Sequence, residues 1–249
     1  MCRHVAYLGP PIPLSRLLFD PPHALCHQSW APRDMRGGGT INADGFGVGW
    51  YPPAGPPVRY RRATPMWSDA TLPGLAGSLV AGAALAAVRS ATVGMPVTEA
   101  AAAPFGDGPW LFSHNGVVRG WPGSVAKLAG TLPVTDLLTL AAPTDAALLW
   151  ALVHDRLRAG AGPAEAVAGA VAEVERAAPG SRLNLLLTDG TSIVASTAGH
   201  ALSVRRDATS ILVSSEPLDD DPAWRPVPDR ALLVAGADHT LTITELGDQ

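Results

Sequence analysis

Apolar positions along this chain follow two periods, and the change from one to the other and back marks out its elements. RHVAYLG, from Arg3, has the apolar, β-rich character of a first strand, stopped by Gly9, Pro10 and Pro11. Residues 14–19 read as a short helix. The stretch LAGSLVAGAALAAV, Leu75 to Val88, is shorter than a membrane span and ends at Arg89; it predicts a helix end followed by a buried strand. Residues 58–62 read as another strand. In PWLFSHNG an apolar strand from Trp110 to Ser113 breaks off at His114, Asn115 and Gly116.

The period then changes. PTDAALLWALVHDRLRAG has apolar residues at helical spacing, with Thr144 as N-cap, Asp145 in the first turn and Gly160 near the stop. PAEAVAGAVAEVERAAPG opens with Pro163 and closes at Gly180, a second helix. The final third returns to strands: RLNLLLTDG, TSIVAST, HALSVRR, TSILVSSE and RALLVAGADHTLTITEL, with hairpin turns at Asp189-Gly190 and Gly236-Ala237-Asp238. Strands flanking a central helical pair predict sheets packed face to face with helices outside. With no internal repeat and no linker, residues 1–249 are expected to form one domain.

Composition narrows this picture without redirecting it. A hydrophobic content of 47% with 16% charged residues belongs to a globular chain, and a net charge of −4 gives no reason to expect nucleic acid or an anionic membrane as partner. Oligomeric state is left open, a homo-oligomer included. Two cysteines make no disulfide framework, and the N-terminus lacks the apolar run of a secretory signal. Reduced thiols and a cytoplasmic location are expected.

Some apparent motifs dissolve on inspection. Gly45-x-Gly47-x-Gly49 mimics a dinucleotide fingerprint, but that motif opens a helix, and here Tyr51 is followed by Pro52 and Pro53. A Gly-rich strand is expected instead. His23 and His27 have i,i+4 spacing but lie beside Pro21 and Pro22 with no third ligand, so no metal is expected. Cys26 reads as a semi-buried free thiol. Arg59, Arg61 and Arg62 around Tyr60 read as a solvent-facing strand rather than a nucleic-acid strip.

The chemistry begins at the second residue. With Met1 removed, Cys2 carries both a thiol and a free α-amine in one residue. An amine with a pKa of about 8 is partly unprotonated at neutral pH and can take the thiol's proton. Three other places combine polar or small residues with a strand or helix end: Arg89 to Gly94, His114-Asn115-Gly116, and Thr144-Asp145. Singly, each has an ordinary reading: a surface charge, a hairpin turn, an acid favoured by a helix dipole. Together they suit hydrolysis of a γ-glutamyl amide. Asn115 and the Gly116 N–H supply oxyanion donors, Arg89 a fork for the α-carboxylate and Asp145 a partner for the α-ammonium.

A Cys at the processed N-terminus, R-S-A-T at 89–92, H-N-G at 114–116 and T-D at 144–145 resemble, in order and rough spacing, the class II glutamine amidotransferase domain. The resemblance spans essentially the whole chain. It implies an α+β fold, the four-layer α-β-β-α sandwich of the N-terminal-nucleophile hydrolases. It also implies Cys2 as nucleophile with its own amine as base, Asn115 and Gly116 as the oxyanion hole, and Arg89, Thr92, His114 and Asp145 around the glutamyl end. No metal or organic cofactor is implied. MCRH, NADGFGVGWY and SEPLDDDPAW at 215–224 are similar to the branch of stand-alone amidohydrolases in ergothioneine biosynthesis, which remove glutamate from γ-glutamyl-hercynylcysteine sulfoxide. One departure is Ala147, where many relatives carry an acidic residue. The alternative is a glutaminase subunit that passes ammonia to a separate synthase. Trp30, Trp50, Trp67 and Trp224 are candidates for a cation–π pocket around a betaine, and the 36–49 and 215–224 segments are candidates for a lid.

Overall fold

The structure, a computed structural model, describes residues 2–34, 36 and 41–247. Twelve strands form two antiparallel sheets. The first has seven strands in the order β10-β8-β9-β1-β4-β2-β3 and the second five, β12-β11-β7-β6-β5. In chain order the strands are β1 (Arg3–Pro13), β2 (Phe46–Trp50), β3 (Val58–Arg62), β4 (Val80–Val88), β5 (Leu111–Val117), β6 (Arg182–Thr188), β7 (Ser192–Thr197), β8 (Ser203–Arg206), β9 (Ile211–Ser214), β10 (Arg225–Pro226), β11 (Ala231–Gly236) and β12 (Leu241–Glu245). The helices are α1 (Ser15–Leu18), α2 (Leu25–Gln28), α3 (Leu72–Ser78), α4 (Ala126–Ala129), α5 (Val134–Leu138), α6 (Asp145–Arg158) and α7 (Pro163–Ala177).

Three apolar cores define four layers. Ala6, Leu8, Leu85, Leu186, Ile193 and Val213 meet between the two sheets. Tyr7, Leu17, Leu25, Phe46, Val88 and Leu72 fill the space between the first sheet and the short helices α1, α2 and α3. Phe112, Leu149, Leu152, Val171, Leu185 and Val194 pack the second sheet against α6 and α7. The architecture is the α-β-β-α sandwich that the family resemblance implies, with sheets face to face and helices outside as the element order predicts. β4 shows why its sequence is an unbroken apolar run: Leu85 enters the middle core, while Ala84, Ala86 and Val88 enter the outer one. A strand covered on both faces has no polar side. The glycines of β2 serve close packing, since a Cβ on Gly47 would stand 2.2 Å from the Ala103 carbonyl oxygen. The Gly-rich strand is therefore confirmed.

Two strands differ from the sequence reading. β1 runs through Gly9, Pro10 and Pro11 to Pro13, with a register shift against β4 between Leu8 and Ile12. Its other neighbour, β9, pairs only with Val5 to Leu8, so the prolines lie where no ladder bond is required on that side. The second difference is at His114-Asn115-Gly116, which does not end its strand. All three lie inside β5 and face Leu185, Asn184 and Leu183 of β6. The hairpin-turn reading of Asn115-Gly116 is overturned: polar residues interrupted the apolar pattern, but the backbone pairing continued beneath them.

A candidate active site at the sheet ends

Cys2 immediately precedes β1, whose first pair is Arg3 with Val88 at the far end of β4. The thiol and the residue after β4 therefore arrive at the same place, with Cys2 Sγ 3.9 Å from the Ser90 carbonyl oxygen. The start of β1 is clamped from below. Arg3 Nε donates to Glu216 Oε1 at 3.0 Å, and Arg3 Nη1 donates to the Cys2 carbonyl at 3.1 Å. Glu216 also accepts from the backbone amides of Arg33 and Asp34 and lies 2.6 Å from His23 Nε2. Burial pushes the Glu216 carboxyl up, but the His23 bond, the two amides and the Arg3 charge outweigh it and hold it below its ordinary value.

A cleft opens beside Cys2. Its wall includes Cys2, Arg89, Thr92, His114, Gly116 and Asp145, residues from four separate stretches of chain. Asn115 lies beside the cleft rather than on its wall. Its side chain is turned to the middle layer, where Nδ2 has only a long 3.4 Å bond to Ser215 Oγ and Oδ1 has no partner. Ser215 Oγ also accepts the His4 amide, so Asn115 is two bonds from the strand that carries the thiol.

The backbone of β5 explains how Gly116 becomes a donor. Phe112 exchanges both of its backbone bonds with Phe105, on the side away from β6. Alternation along an antiparallel strand then sends the N–H groups of His114, Gly116 and Val118 to that same side. Two observations agree. Val118 N–H bonds Asp145 Oδ2 at 3.0 Å, and Leu183, the residue opposite Gly116, gives its N–H to Ala198 instead. The Gly116 N–H thus points from the strand edge into the cleft. Glycine is required because a Cβ would stand 1.9 Å from the Arg182 carbonyl oxygen.

The cleft wall also carries opposite charges. Arg89 is buried, with Nη1 donating to the Pro96 carbonyl at 2.9 Å and no carboxylate partner among the described residues. Asp145 opens α6 as its first residue, next to the Thr144 N-cap, whose side chain accepts from Ala147 N–H at 3.2 Å. The Asp145 carboxylate accepts from the Val118 and Ala146 amides and pairs with no cation among the described residues. A buried guanidinium and a buried carboxylate, each held by backbone groups and neither ion-paired, match the two charges on the α-carbon of a glutamyl group. Ala147, the departure from the sequence pattern, is buried and contributes to the cap through its N–H alone.

Two residues that position this wall were not singled out from the sequence. Asp44 donates its amide to the Arg89 carbonyl and accepts from the Ala91 amide, which fixes the path of residues 89–91. Its signal was its place in NADG, just before a Gly-rich strand. Glu216 stood inside SEPLDDDPAW, but nothing local showed its role, because its partner Arg3 is 213 residues away. Other expectations need correction. None of Trp30, Trp50, Trp67 and Trp224 lines the cleft: Trp30 and Trp67 are exposed, while Trp50 and Trp224 pack against the outer core of the first sheet. Ser215 and Glu216 are buried and bonded to β1 and α2, so the start of the 215–224 segment is a staple rather than a lid. Gly37 to Thr40, the middle of the other proposed lid, lie outside the described residues, as does Met1.

His4, His23 and His27 make structural contacts. His4 is fully buried, bonds Ser113 Oγ at 3.0 Å, and is lowered to about 3 by burial and by the neighbouring His114, Arg3 and His200. His23 and His27 contact one another through Nδ1 at 3.0 Å. Among the described residues no group of three or more His, Cys, Asp or Glu side chains is placed to hold a metal ion. Cys26 is a free, half-buried thiol whose pKa is raised by burial. No helix among the described residues is long and apolar enough to cross a membrane.

Facing antiparallel sheets, helices on both outer sides and a thiol at the head of a central strand make this an N-terminal-nucleophile sandwich. The chain belongs to the class II glutamine amidotransferase family, whose pattern matches residues 14–209. It is 42% identical over 233 residues to the gamma-glutamyl-hercynylcysteine sulfoxide hydrolase of Mycolicibacterium smegmatis, across 94% of this chain and 95% of that one. It is 41% identical to the enzyme of the same name from Mycobacterium tuberculosis, across 94% and 92%. Among solved structures, a glutamine aminotransferase class-II domain protein from Silicibacter pomeroyi superposes with a TM-score of 0.70 at 25% identity, covering 98% of this chain and 99% of that one. The allosteric regulatory enzyme of purine biosynthesis shares the fold at a TM-score of 0.69 and 14% identity, over all of this chain and 50% of that one.

Proposed function

We propose that residues 1–249 act as one cytoplasmic amidohydrolase domain that cleaves γ-glutamyl-hercynylcysteine sulfoxide into glutamate and hercynylcysteine sulfoxide. The observation that carries this reading is the cleft, in which Cys2, the Gly116 N–H, Arg89 and Asp145 converge from separate stretches of chain. Near-full-length identity to hydrolases named for that substrate supports it.

In this reading Met1 is absent and the Cys2 α-amine takes the thiol proton. The thiolate attacks the γ-carbonyl carbon, and the carbonyl oxygen becomes an oxyanion. Gly116 N–H receives it from the strand edge, with Asn115 Nδ2 as the second donor, since only a long contact to Ser215 occupies it. The C–N bond breaks, the Cys2 α-ammonium returns its proton to the leaving amine, and a γ-glutamyl thioester remains on Cys2. Water, deprotonated by the same amine, then attacks the thioester and releases glutamate. Arg89 and Asp145 hold the α-carboxylate and α-ammonium throughout, while Thr92 and His114 complete the glutamyl wall.

The test offers γ-glutamyl-hercynylcysteine sulfoxide and glutamine side by side to protein of measured intact mass, and follows glutamate by mass spectrometry. Loss of Met1 with preferential cleavage of the sulfoxide is expected. Preferential cleavage of glutamine would replace this reading with that of a glutaminase subunit serving a separate synthase.

Substitution of Asn115 separates binding from chemistry. Asn115→Ala is expected to lower kcat by about 10²–10³-fold, the usual effect of losing one oxyanion donor, with KM little changed. A rise in KM at constant kcat would show that Asn115 holds the ground-state substrate instead.

A further inference from the structure

The glutamyl end accounts for Arg89 and Asp145, but a second unpaired guanidinium stands on the opposite side of the oxyanion position. Arg182 begins β6 and pairs with Val117, one residue beyond Gly116. Directly paired residues share a face, and so do residues two apart. Arg182 therefore projects to the same side as Asn184 and Asn115, towards the mouth between the sheets and away from the glutamyl cleft.

Its backbone is already part of the site's frame. The Arg182 carbonyl receives the bond from His114 Nε2 at 3.0 Å and packs against Gly116. Its side chain is aimed by a built contact: Arg182 Nε donates to His200 Nε2 at 3.0 Å. His200 is buried, and burial, followed by the charges of Arg182, Arg3 and His114, lowers its pKa to about 3. It is therefore neutral and accepts at Nε2, so the guanidinium is fixed through one nitrogen. The two terminal nitrogens have no acceptor among the described residues, and no carboxylate pairs with them. The alkyl stem lies along Gly199, whose positive φ of 86° brings the chain close enough to support it.

We propose that Arg182, oriented by His200, binds a carboxylate carried by the leaving amine, so that the site favours γ-glutamyl conjugates of amino acids over simple γ-glutamyl amides. This rests on the γ-glutamyl hydrolase reading above and adds a determinant for the other half of the substrate. A planar fork held at Nε presents its free edge to a carboxylate in two-bond geometry, which an ammonium cannot reproduce.

The test compares γ-glutamylglycine, whose leaving amine carries a carboxylate, with γ-glutamylmethylamide, which lacks one. Wild-type protein is expected to favour the first. Arg182→Met is expected to reduce the ratio of the two kcat/KM values by about 10–100-fold, chiefly through KM of γ-glutamylglycine, and Arg182→Lys to restore part of it. An unchanged ratio in either variant, or an equal loss with both substrates, overturns the assignment and leaves the γ-glutamyl reading intact. Failure of the wild type to cleave either compound overturns that reading and this assignment with it. Should Arg182→Met not fold, Arg182→Lys carries the same comparison, because it keeps the charge and removes the fork.

Discussion

Replacing Cys2 with alanine will abolish turnover, by at least about 10⁴-fold, while the protein folds as before. The size follows from the doubled role proposed for this residue: Sγ is the nucleophile and the α-amine of the same residue is the base, so no second side chain retains part of the machinery. The stability cost is small, less than about 1 kcal/mol, because Cys2 precedes the ladder of β1 and its Sγ makes only a 3.9 Å contact with the Ser90 carbonyl. The measurement is glutamate release by the variant beside its melting temperature. Binding supplies the control, since Arg89 and Asp145 are untouched and the variant should retain uncleaved substrate. Substantial residual hydrolysis by correctly folded Cys2→Ala protein would place the nucleophile elsewhere.

Loss of Glu216 is expected to have the largest effect on stability. Glu216→Ala removes the carboxylate that Arg3, His23 and two backbone amides share, and leaves the Arg3 guanidinium buried without its charge partner. Breaking a buried pair from one side costs about 3–5 kcal/mol, a fall in Tm on the order of 10 °C for a chain of this size. Activity should fall further than stability alone explains, because Arg3 Nη1 also holds the Cys2 carbonyl. The pH dependence has a definite sign. The folded-state pKa of Glu216 is depressed, so its contribution is complete above the ordinary carboxylate value of 4.5 and is lost as pH falls below it. Wild type should therefore lose stability on acidification through that range more steeply than Glu216→Ala. Parallel Tm-versus-pH curves for the two proteins would refute the assignment.

These two residues also show what the sequence can disclose. Cys2, Arg89, Gly116 and Asp145 were legible because each stands at the beginning or end of a recognisable pattern, or within a short motif of unusual composition. The layered fold was legible for a related reason: α6 and α7 carry helical spacing with a cap or an N-terminal proline, and β4 to β9 carry apolar runs. Glu216 was not legible. Its partner lies at the other end of the chain, and nothing local in SSEPL marks a carboxylate that must be buried. The same limit misplaced His114-Asn115-Gly116 as a strand end. Apolar periodicity reports what a strand buries, so polar residues that a strand carries into a site look like its termination. The tryptophans were named from composition, and none of the four lines the cleft beside Cys2.

The edge of β5 has a consequence for the protein's behaviour at high concentration. An open strand edge is a template on which a second chain can add by backbone pairing. Here the exposed length is very short, because Phe105 pairs with Phe112 on one side and Asp145 takes the Val118 amide on the other. Only the backbone around His114 and Gly116 remains available between them, too little for another strand to gain a register. The β5 edge thus leaves the Gly116 amide uncovered without itself offering a seam along which another copy could pair.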